Sequence, residues 1–219
     1  MRQILSILFL SLTLTQCGMA GQKVTSEIEK INKPTNTELQ ELETAYFASG
    51  CFWCVEAVYE SVRGVKEAVS GYSGGKEKNP TYRQVGSGQS GHAEAVVVYY
   101  DPKVVSFKTL VKVYYGSHNP TTVNGQAPDF GQQYRSVIFY QNEEEKMIAV
   151  AYKDSLDNSS QYDQPIATQI IPFEKFWEAE EYHQDYEKRN PYQPYVLGVS
   201  VPRLKRFQAK FPELLKEED

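Results

Sequence analysis

The sequence is poor in cysteine and histidine, with three of each among 219 residues. A disulfide framework of the kind that stabilises small exported domains needs more paired cysteines, so such a scaffold is excluded. A zinc site needs about four closely placed ligands, whereas His92, His118 and His183 are widely separated in the sequence. We therefore rank thiol chemistry above metal binding and expect no metal site.

Positive charge is not in excess, because the formal net charge is −5. Such a balance attracts neither a phosphate backbone nor an anionic membrane surface, so we do not expect nucleic acid as a partner. The sequence also lacks internal repeats and low-complexity blocks. Its length suits one domain rather than two, and we expect a monomer.

The apolar run at the N-terminus, residues 4–14, is interrupted only by Ser and Thr and follows Arg2. This pattern predicts a signal peptide, and the run is too short to cross a bilayer as a helix. Residues 14–17 (LTQC) are similar to a bacterial lipobox, although Gln16 stands where a small residue is usual. We favour an exported protein, periplasmic or membrane-anchored through a lipid on Cys17, over a cleaved signal in which this cysteine is incidental.

Residues 18–43 are polar and rich in Lys, Glu, Thr and Asn, so they cannot bury much surface. We interpret them as a tether between the signal and lipobox segment, residues 1–17, and a globular domain over residues 44–219. The N-terminal lipid would be the only membrane contact of this domain.

Hydrophobic periodicity predicts interleaved strands and helices along the domain. The predicted strands are 44–49, 65–72, 93–100, 134–140 and 169–171, and the predicted helices are 51–62, 106–116, 142–156, 173–188 and 202–211. Long loops rich in polar residues and glycine are predicted at 73–91 and 118–133. The pattern indicates an α+β domain in which helices pack against a mixed sheet.

Cys51 follows Gly50, where a strand is predicted to turn into a helix. Unpaired N–H groups and the helix dipole favour a thiolate there, so we expect a lowered pKa and a nucleophilic role. The alternative is a buried cysteine that packs as a small apolar residue. Phe52 and Trp53 favour the nucleophilic role, because two adjacent aromatic residues cannot both lie on the single apolar face of a helix that packs on a core. One of them is expected to face an opening that suits a small apolar group.

Glu94 alternates with Val96 and Val98 in the strongest predicted strand. Apolar surroundings would raise the pKa of its carboxyl group and keep it protonated, so that it could donate a proton. The alternative is a glutamate that faces solvent. Glu56, on the helix after Cys51, can equally be structural.

Tyrosine is abundant, with 16 residues, and most of them must simply pack. Tyr82 and Tyr134 lie in or beside the two long loops, where side chains more often face a ligand, and Asp129 belongs to the second loop. Taken singly, each of these residues is more often structural than catalytic.

Several motifs, in order, resemble those of peptide methionine sulfoxide reductase A. They are GCFWCVE (50–56), SGYSGG (70–75), GHAEAV (91–96), DFGQQYRS (129–136) and AEEYHQDY (179–186). The resemblance implies a ferredoxin-like core, no cofactor, and reduction of the S-epimer of methionine sulfoxide, free or within oxidised proteins.

By the same resemblance, Cys51 attacks the sulfoxide sulfur and Glu94 supplies a proton to the oxygen. The residues implied in substrate binding are Tyr82 and Tyr134 at the oxygen, Phe52 and Trp53 at the methyl group, and Asp129, Glu56 and His183 around them. The products are methionine and a sulfenic acid on Cys51.

Many members of this family carry a resolving cysteine near the C-terminus, but residues 190–219 contain none. The local substitute is Cys54, because a C-x-x-C pair across one helical turn has workable disulfide spacing. We expect Cys54 to resolve the sulfenic acid as a disulfide with Cys51, which a thioredoxin-like reductant then opens. The alternative is direct reduction of the sulfenic acid by an external thiol.

Two other functions compete with this interpretation. A thioredoxin-like disulfide oxidoreductase would use Cys51 and Cys54 but would have no need of Glu94. A non-catalytic lipoprotein could instead use the aromatic residues as a ligand-binding surface.

Overall fold

The computed structural model describes residues 34–217. The predicted signal peptide, Cys17 and most of the predicted tether lie outside these residues. Among the described residues, no helix combines the length and the apolar composition that crossing a bilayer requires.

The strands form one large sheet and a small ribbon. They are β1 Glu43–Ser49, β2 Val65–Ser73, β3 Ala93–Tyr100, β4 Gly125–Gln126, β5 Asp129–Phe130, β6 Ser136–Tyr140, β7 Gln169–Pro172 and β8 Phe176–Glu178. The large sheet has the order β7-β6-β1-β3-β2-β8, and β4 pairs with β5 in the ribbon. Neighbouring strands are antiparallel except β6 and β7, so the sheet is mixed, as predicted.

The helices lie between and after these strands. They are α1 Asn36–Gln40, α2 Phe52–Glu60, α3 Tyr82–Gly86, α4 Phe107–Gly116, α5 Glu143–Asp157, α6 Tyr186–Arg189 and α7 Val201–Lys210. Single turns of 3-10 helix occupy Gln132–Tyr134, Glu181–His183 and Pro212–Leu214, and a π-helical turn at Val196–Ser200 leads into α7.

The two faces of the sheet have separate cores because side chains alternate along β1. On one face, the ring of Phe47 packs against Tyr59 of α2 and Tyr114 of α4, with ring centroids 5.0 and 5.6 Å apart. On the other face, Tyr46 stacks on Phe173 at 3.8 Å. This packing holds α2, the helix that follows Gly50, rigidly against the sheet.

The turn from β1 into α2 requires glycine at position 50. Gly50 has a φ of 87°, a conformation that residues with a side chain rarely adopt, and a Cβ there would lie 2.9 Å from the Cβ of Gln126. This turn places Cys51 directly at the start of α2.

The helix predicted over 173–188 is wrong. Its first part is β8, which pairs with β2 in the register Gly71↔Glu178, followed by the 3-10 turn and the short helix α6. Because Gly71 has no side chain, the ring of Phe176 can pack against it. A Cβ at this position would lie 2.3 Å from that ring. Tertiary pairing at the sheet edge therefore overrides the local helical pattern.

Helices occur in one segment predicted as a loop and in the predicted tether, where the sequence also allows a weak amphipathic helix around residues 37–43. The loop predicted over 73–91 carries α3, and the predicted tether carries α1. Both begin with a capping box, Thr81 with Gln84 and Thr35 with Glu38, which is a signal that the sequence displays.

Candidate active site

Cys51 is the N-cap residue of α2, with only 7% of its surface exposed. Its side chain accepts no capping hydrogen bond from the helix. The predicted placement at a helix start is therefore present, but the free N–H groups expected around the sulfur are not all available to it.

Glu94 takes one of those N–H groups. Its Oε2 accepts a hydrogen bond of 3.1 Å from the backbone N–H of Phe52, the residue after Cys51. The Glu94 side chain is 1% exposed, so the solvent-facing alternative is wrong. Burial raises the pKa of its carboxyl group to about 8, which keeps the group protonated at neutral pH.

The lowered pKa expected for Cys51 is wrong. Burial raises the pKa of Cys51 well above its usual value, and the hydrogen bond with Cys54 and the charges of Cys54 and Glu94 act in the same direction. The first N–H group of the helix donates to Glu94 rather than to the sulfur.

Cys54 is the more acidic of the two thiols. The hydrogen bond from Cys51 is the largest influence and lowers the pKa of Cys54 to about 6 against the opposing effect of burial. The Arg203 charge and the Ser200 hydroxyl, whose Oγ lies 2.8 Å from the Cys54 Sγ, lower it further. These two contacts favour the thiolate form of Cys54.

An aromatic cluster adjoins the two cysteines. The Phe52 ring lies 4.9 Å from the ring of His183 and 6.3 Å from that of Tyr82. The Trp53 indole donates to Nδ1 of His183 at 3.2 Å and stacks on Tyr186 with a centroid separation of 3.7 Å. His183 is thus buried and contacts both aromatic residues.

The tyrosines predicted from the two loops converge on the same region. Burial and the charges of Glu94 and Cys51 raise the pKa of Tyr82 to about 12, and burial together with Glu94 also raises that of Tyr134. Both phenols therefore stay protonated and can donate hydrogen bonds. Tyr82 is positioned at the start of α3 by Glu180, whose Oε1 accepts from its backbone N–H at 3.0 Å.

Asp129 is linked to the cysteines by Tyr195, a residue that the sequence did not single out. The hydroxyl of Tyr195 donates a short hydrogen bond to its Oδ2, and the same hydroxyl lies 4.0 Å from the Sγ of Cys54. Burial raises the pKa of Asp129, while the Tyr195 bond and the Arg203 charge lower it.

The side chain of Glu56 on α2 is held by hydrogen bonds to neighbouring elements. It is buried, its Oε2 accepts from the Ser70 hydroxyl, and its Oε1 accepts from the backbone N–H of Asp185 at 2.6 Å. It lies close to Glu60 and Asp185, and the Nζ of Lys188 is 2.9 Å from Glu60 and 3.0 Å from Asp185. Glu56 thus joins α2 to β2 and to the start of α6.

The C-terminal segment supplies three residues that sequence reasoning missed. They are Tyr195, Ser200 and Arg203. The Arg203 side chain is buried and donates to the backbone oxygen of Ser117 at 2.9 Å, and to the backbone oxygen and Oγ of Ser49 at 2.9 and 3.1 Å. It therefore ties α7 to the end of β1, immediately before the turn that leads to Cys51.

The arrangement brings a nucleophilic sulfur, a protonated carboxyl group, two phenol donors and an aromatic wall together. The thiol can attack an electrophilic atom that carries an oxygen, and the carboxyl group can protonate that oxygen as its bond breaks. The second sulfur, three residues further along the chain, is placed to react with whatever forms on Cys51.

Comparison with known proteins identifies the family. The model of the family described as peptide methionine sulfoxide reductase matches residues 43–215. The chain belongs to the peptide methionine sulfoxide reductase family. It is therefore an enzyme, an oxidoreductase that acts on methionine sulfoxide, as predicted.

Relatives of this reductase match it over most of their length. It is 45% identical over 185 residues to peptide methionine sulfoxide reductase MsrA of Polynucleobacter asymbioticus, covering 84% of this chain and 97% of the relative. It is 46% identical over 184 residues to MsrA 2 of a Synechocystis strain, covering 84% of this chain and 86% of the relative.

Solved structures agree with this assignment. The reduced form of Mxr1 from Saccharomyces cerevisiae superimposes with a TM-score of 0.65 at 33% identity, covering 69% of this chain and 87% of that chain. Methionine sulfoxide reductase A of Corynebacterium diphtheriae gives a TM-score of 0.62 at 34% identity, covering 69% and 77%. The competing interpretations, a thioredoxin-like oxidoreductase and a non-catalytic binding lipoprotein, are wrong.

Proposed function

We propose that the enzyme reduces the S-epimer of methionine sulfoxide with Cys51 as the nucleophile and Glu94 as the general acid. One observation carries the proposal: the buried carboxyl of Glu94, protonated at neutral pH, is hydrogen bonded to the residue that follows Cys51. A protonated acid is thus fixed beside the attacking sulfur, where the sulfoxide oxygen needs a proton.

The first reaction transfers oxygen from substrate to enzyme. The Cys51 sulfur attacks the sulfoxide sulfur while Glu94 passes its proton to the oxygen, and the resulting Glu94 carboxylate takes up the proton that the Cys51 thiol releases. The bond between the two sulfurs and the sulfur–oxygen bond of the substrate then break, the hydroxyl is transferred to the Cys51 sulfur, and the electron pair stays on the methionine sulfur. Methionine and a Cys51 sulfenic acid are the products, so one thiol is oxidised for each sulfoxide reduced.

The neighbouring side chains orient the substrate in this proposal. Tyr82 and Tyr134 donate hydrogen bonds to the sulfoxide oxygen, while Phe52 and Trp53 enclose the methyl group. Asp129 contacts the substrate from the second loop and His183 supports the wall. When the oxygen, the methyl group and the sulfur of the sulfoxide are each held by a different part of the site, only one epimer fits. This accounts for selection of a single epimer.

The second reaction joins Cys51 and Cys54 in a disulfide. The Cys54 thiolate attacks the sulfur of the Cys51 sulfenic acid, the hydroxyl leaves as water after protonation, and a Cys51–Cys54 disulfide forms. The low pKa of Cys54 supports this role, because the thiolate is the attacking form. A thioredoxin-like protein then reduces the disulfide to two thiols and is itself oxidised.

An epimer-resolved assay on a methionine sulfoxide peptide tests the proposal. We expect the wild type to consume the S-epimer alone, Cys51→Ser to consume neither, and Glu94→Gln to lose a factor of about 10²–10⁴ in kcat/KM. Glu144→Gln, an exposed residue of α5, is the matched control and should retain full activity. Turnover by Cys51→Ser, or equal consumption of both epimers, would refute the proposal.

We propose further that the enzyme is exported and carries a lipid on Cys17. The apolar run at residues 4–14 and the lipobox-like residues 14–17 support this location. Expression of Cys17→Ala beside the full-length wild type tests it. We expect the wild type in the membrane fraction and the variant in the soluble exported fraction, whereas identical distributions would refute the anchor.

We infer that the core of the domain is ferredoxin-like. The order β1-α2-β2-β3-α4-β6 along the chain, with neighbouring strands β6-β1-β3-β2 antiparallel, supports this class. An experimental structure in which this strand order differs would contradict the inference.

A further inference from the structure

The catalytic pair lines a cavity of about 480 Å³. Both Cys51 and Cys54 line it, together with residues that follow α4 and residues of α7. Neither Glu94 nor the aromatic residues Phe52 and Trp53 are among its lining residues. The cavity therefore gives access to the sulfurs without being lined by the acid or the aromatic pair, and it shares Asp129 with the proposed substrate site.

The cavity is positively charged, although the whole chain has a net charge of −5. Three cations line it, Arg203, Arg206 and Lys210, against a single carboxylate, Asp129, which accepts a hydrogen bond from Tyr195. His118 also lines the cavity, but burial and the Arg203 charge lower its pKa to about 3, so it adds no charge.

Two of the three cations are available to a ligand. Arg203 is committed to Ser49 and Ser117, whereas Arg206 and Lys210 are exposed, one helical turn apart on α7. Within the described part of the chain, neither of these two makes an ion pair with a carboxylate. Two exposed cations that line the same cavity as both sulfurs suit an anion with a reactive thiol.

We propose that this cavity admits a small thiol that carries a carboxylate group, and that Arg206 and Lys210 guide its sulfur to Cys51. The size favours a small molecule, because pockets for such ligands measure about 300–1,000 Å³. Both sulfurs are buried and line this cavity, so a small thiol that enters it meets them directly. This route serves the oxidised enzyme alongside a protein reductant, and it rests on the proposed oxidation of Cys51.

The chemistry consumes two small thiols for each turnover. The first thiolate attacks the Sγ of Cys51 in the Cys51–Cys54 disulfide, the sulfur–sulfur bond breaks, and its electron pair leaves on Cys54. Ser200 and Arg203 stabilise that leaving thiolate. A second thiol attacks the external sulfur of the mixed disulfide, so that Cys51 is released and takes up a proton. The small thiols leave as their disulfide, and both enzyme thiols are restored.

Comparison of three thiols that differ in charge tests the proposal. The probes are 3-mercaptopropionate (anionic), 2-mercaptoethanol (neutral) and 2-aminoethanethiol (cationic), each used as the sole reductant. In Arg206→Gln/Lys210→Gln, we expect the half-saturating concentration of the anionic thiol to rise about three- to tenfold, as loss of two exposed charge contacts implies. The value for the neutral thiol should not change, and that for the cationic thiol should fall.

Lys205→Gln is the matched control, because Lys205 is an exposed cation of the same helix that does not line the cavity. It should leave all three thiols unaffected. An equal change for all three thiols in the double variant, or no change for 3-mercaptopropionate, would overturn the proposal.

The same series in Cys54→Ser separates this proposal from the resolving role of Cys54. There the small thiol attacks the Cys51 sulfenic acid directly and water leaves. Charge selectivity that persists in this background supports the cavity even if Cys54 does not resolve, whereas its loss would overturn the assignment of Cys51 as the target. Absence of methionine with every thiol would instead refute the proposed oxidation of Cys51.

Discussion

The Oγ of Ser200 lies 2.8 Å from the Sγ of Cys54, although 146 positions separate the two residues in the sequence. Ser200 is fully buried in the turn that leads into α7, so the C-terminal segment fixes the electrostatic environment of the catalytic pair. A hydroxyl in this position stabilises a thiolate more than a thiol. The C-terminal segment contains no cysteine of its own, but its Ser200 hydroxyl stabilises the thiolate of Cys54.

Ser200→Ala should raise the pKa of Cys54. Loss of one hydrogen bond to a charged sulfur corresponds to an increase of about one pKa unit. The comparison is best made in the Cys51→Ser background, where Cys54 is the one thiol of the described domain. The rate of alkylation against pH reports the value.

Ser155→Ala, an exposed serine of α5, is the control and should leave that profile unchanged. An unaltered pKa in Ser200→Ala would show that the contact with Cys54 does not stabilise the thiolate.

The rate of sulfoxide reduction should fall as the pH rises through about 8. Glu94 acts as an acid only while protonated, and burial raises the pKa of its carboxyl to that value from its ordinary 4.5. The measurement is kcat/KM for a methionine sulfoxide peptide from pH 6 to 10. Glu94→Gln keeps an acceptor for the Phe52 N–H group and should show a low rate without this decline. A profile shared by both enzymes would assign the decline to another group.

Glu56 should make the fold less stable at alkaline pH. Burial raises the pKa of its carboxyl to about 8 in the folded state, above the ordinary 4.5, so its contribution is fully present below pH 4.5 and is lost as the pH rises through 8. Glu56→Gln should therefore gain stability relative to the wild type between pH 5 and pH 9. Urea unfolding at both pH values measures the difference. A constant difference would mean that Glu56 is charged at both pH values.

Arg203→Gln should destabilise the domain by about 3 kcal/mol, because the change leaves buried acceptors at Ser49 and Ser117 without a donor. The free energy of unfolding in urea reports this loss. Arg206→Gln, on the exposed side of the same helix, is the control and should stay within about 0.5 kcal/mol of the wild type. Equal stability of the two variants would contradict the structural role given to Arg203.

Local patterns in the sequence predicted much of the sheet and part of the site. Alternation along β3 indicated a buried, protonated Glu94 while leaving a solvent-facing side chain open, and the Gly50 turn predicted the position of Cys51 at a helix start. These features depend on neighbours a few residues apart, so a single sequence reveals them.

The remaining features depend on contacts between distant segments. Burial raises the pKa of Cys51, and Arg203 and Ser200 add to the Cys51 hydrogen bond in lowering that of Cys54; the burial and the two distant contacts arise only in the folded chain. The segment 173–188 carries a helical pattern, but pairing of β8 with β2 determines its structure. Neither outcome has a local signal, which is why the sequence led to the wrong pKa for Cys51 and the wrong helix.

The most direct test of the proposed mechanism is the mass of the enzyme after one turnover. Reduced enzyme is mixed with excess S-epimer peptide without a reductant, quenched in acid, digested and analysed by mass spectrometry. The mechanism predicts a peptide in which Cys51 and Cys54 are joined with the loss of two hydrogens, and a Cys51 sulfenic acid instead in Cys54→Ser. Sulfenic acid alone in the wild type would contradict the resolving role of Cys54, and an unmodified Cys51 would contradict the mechanism as a whole.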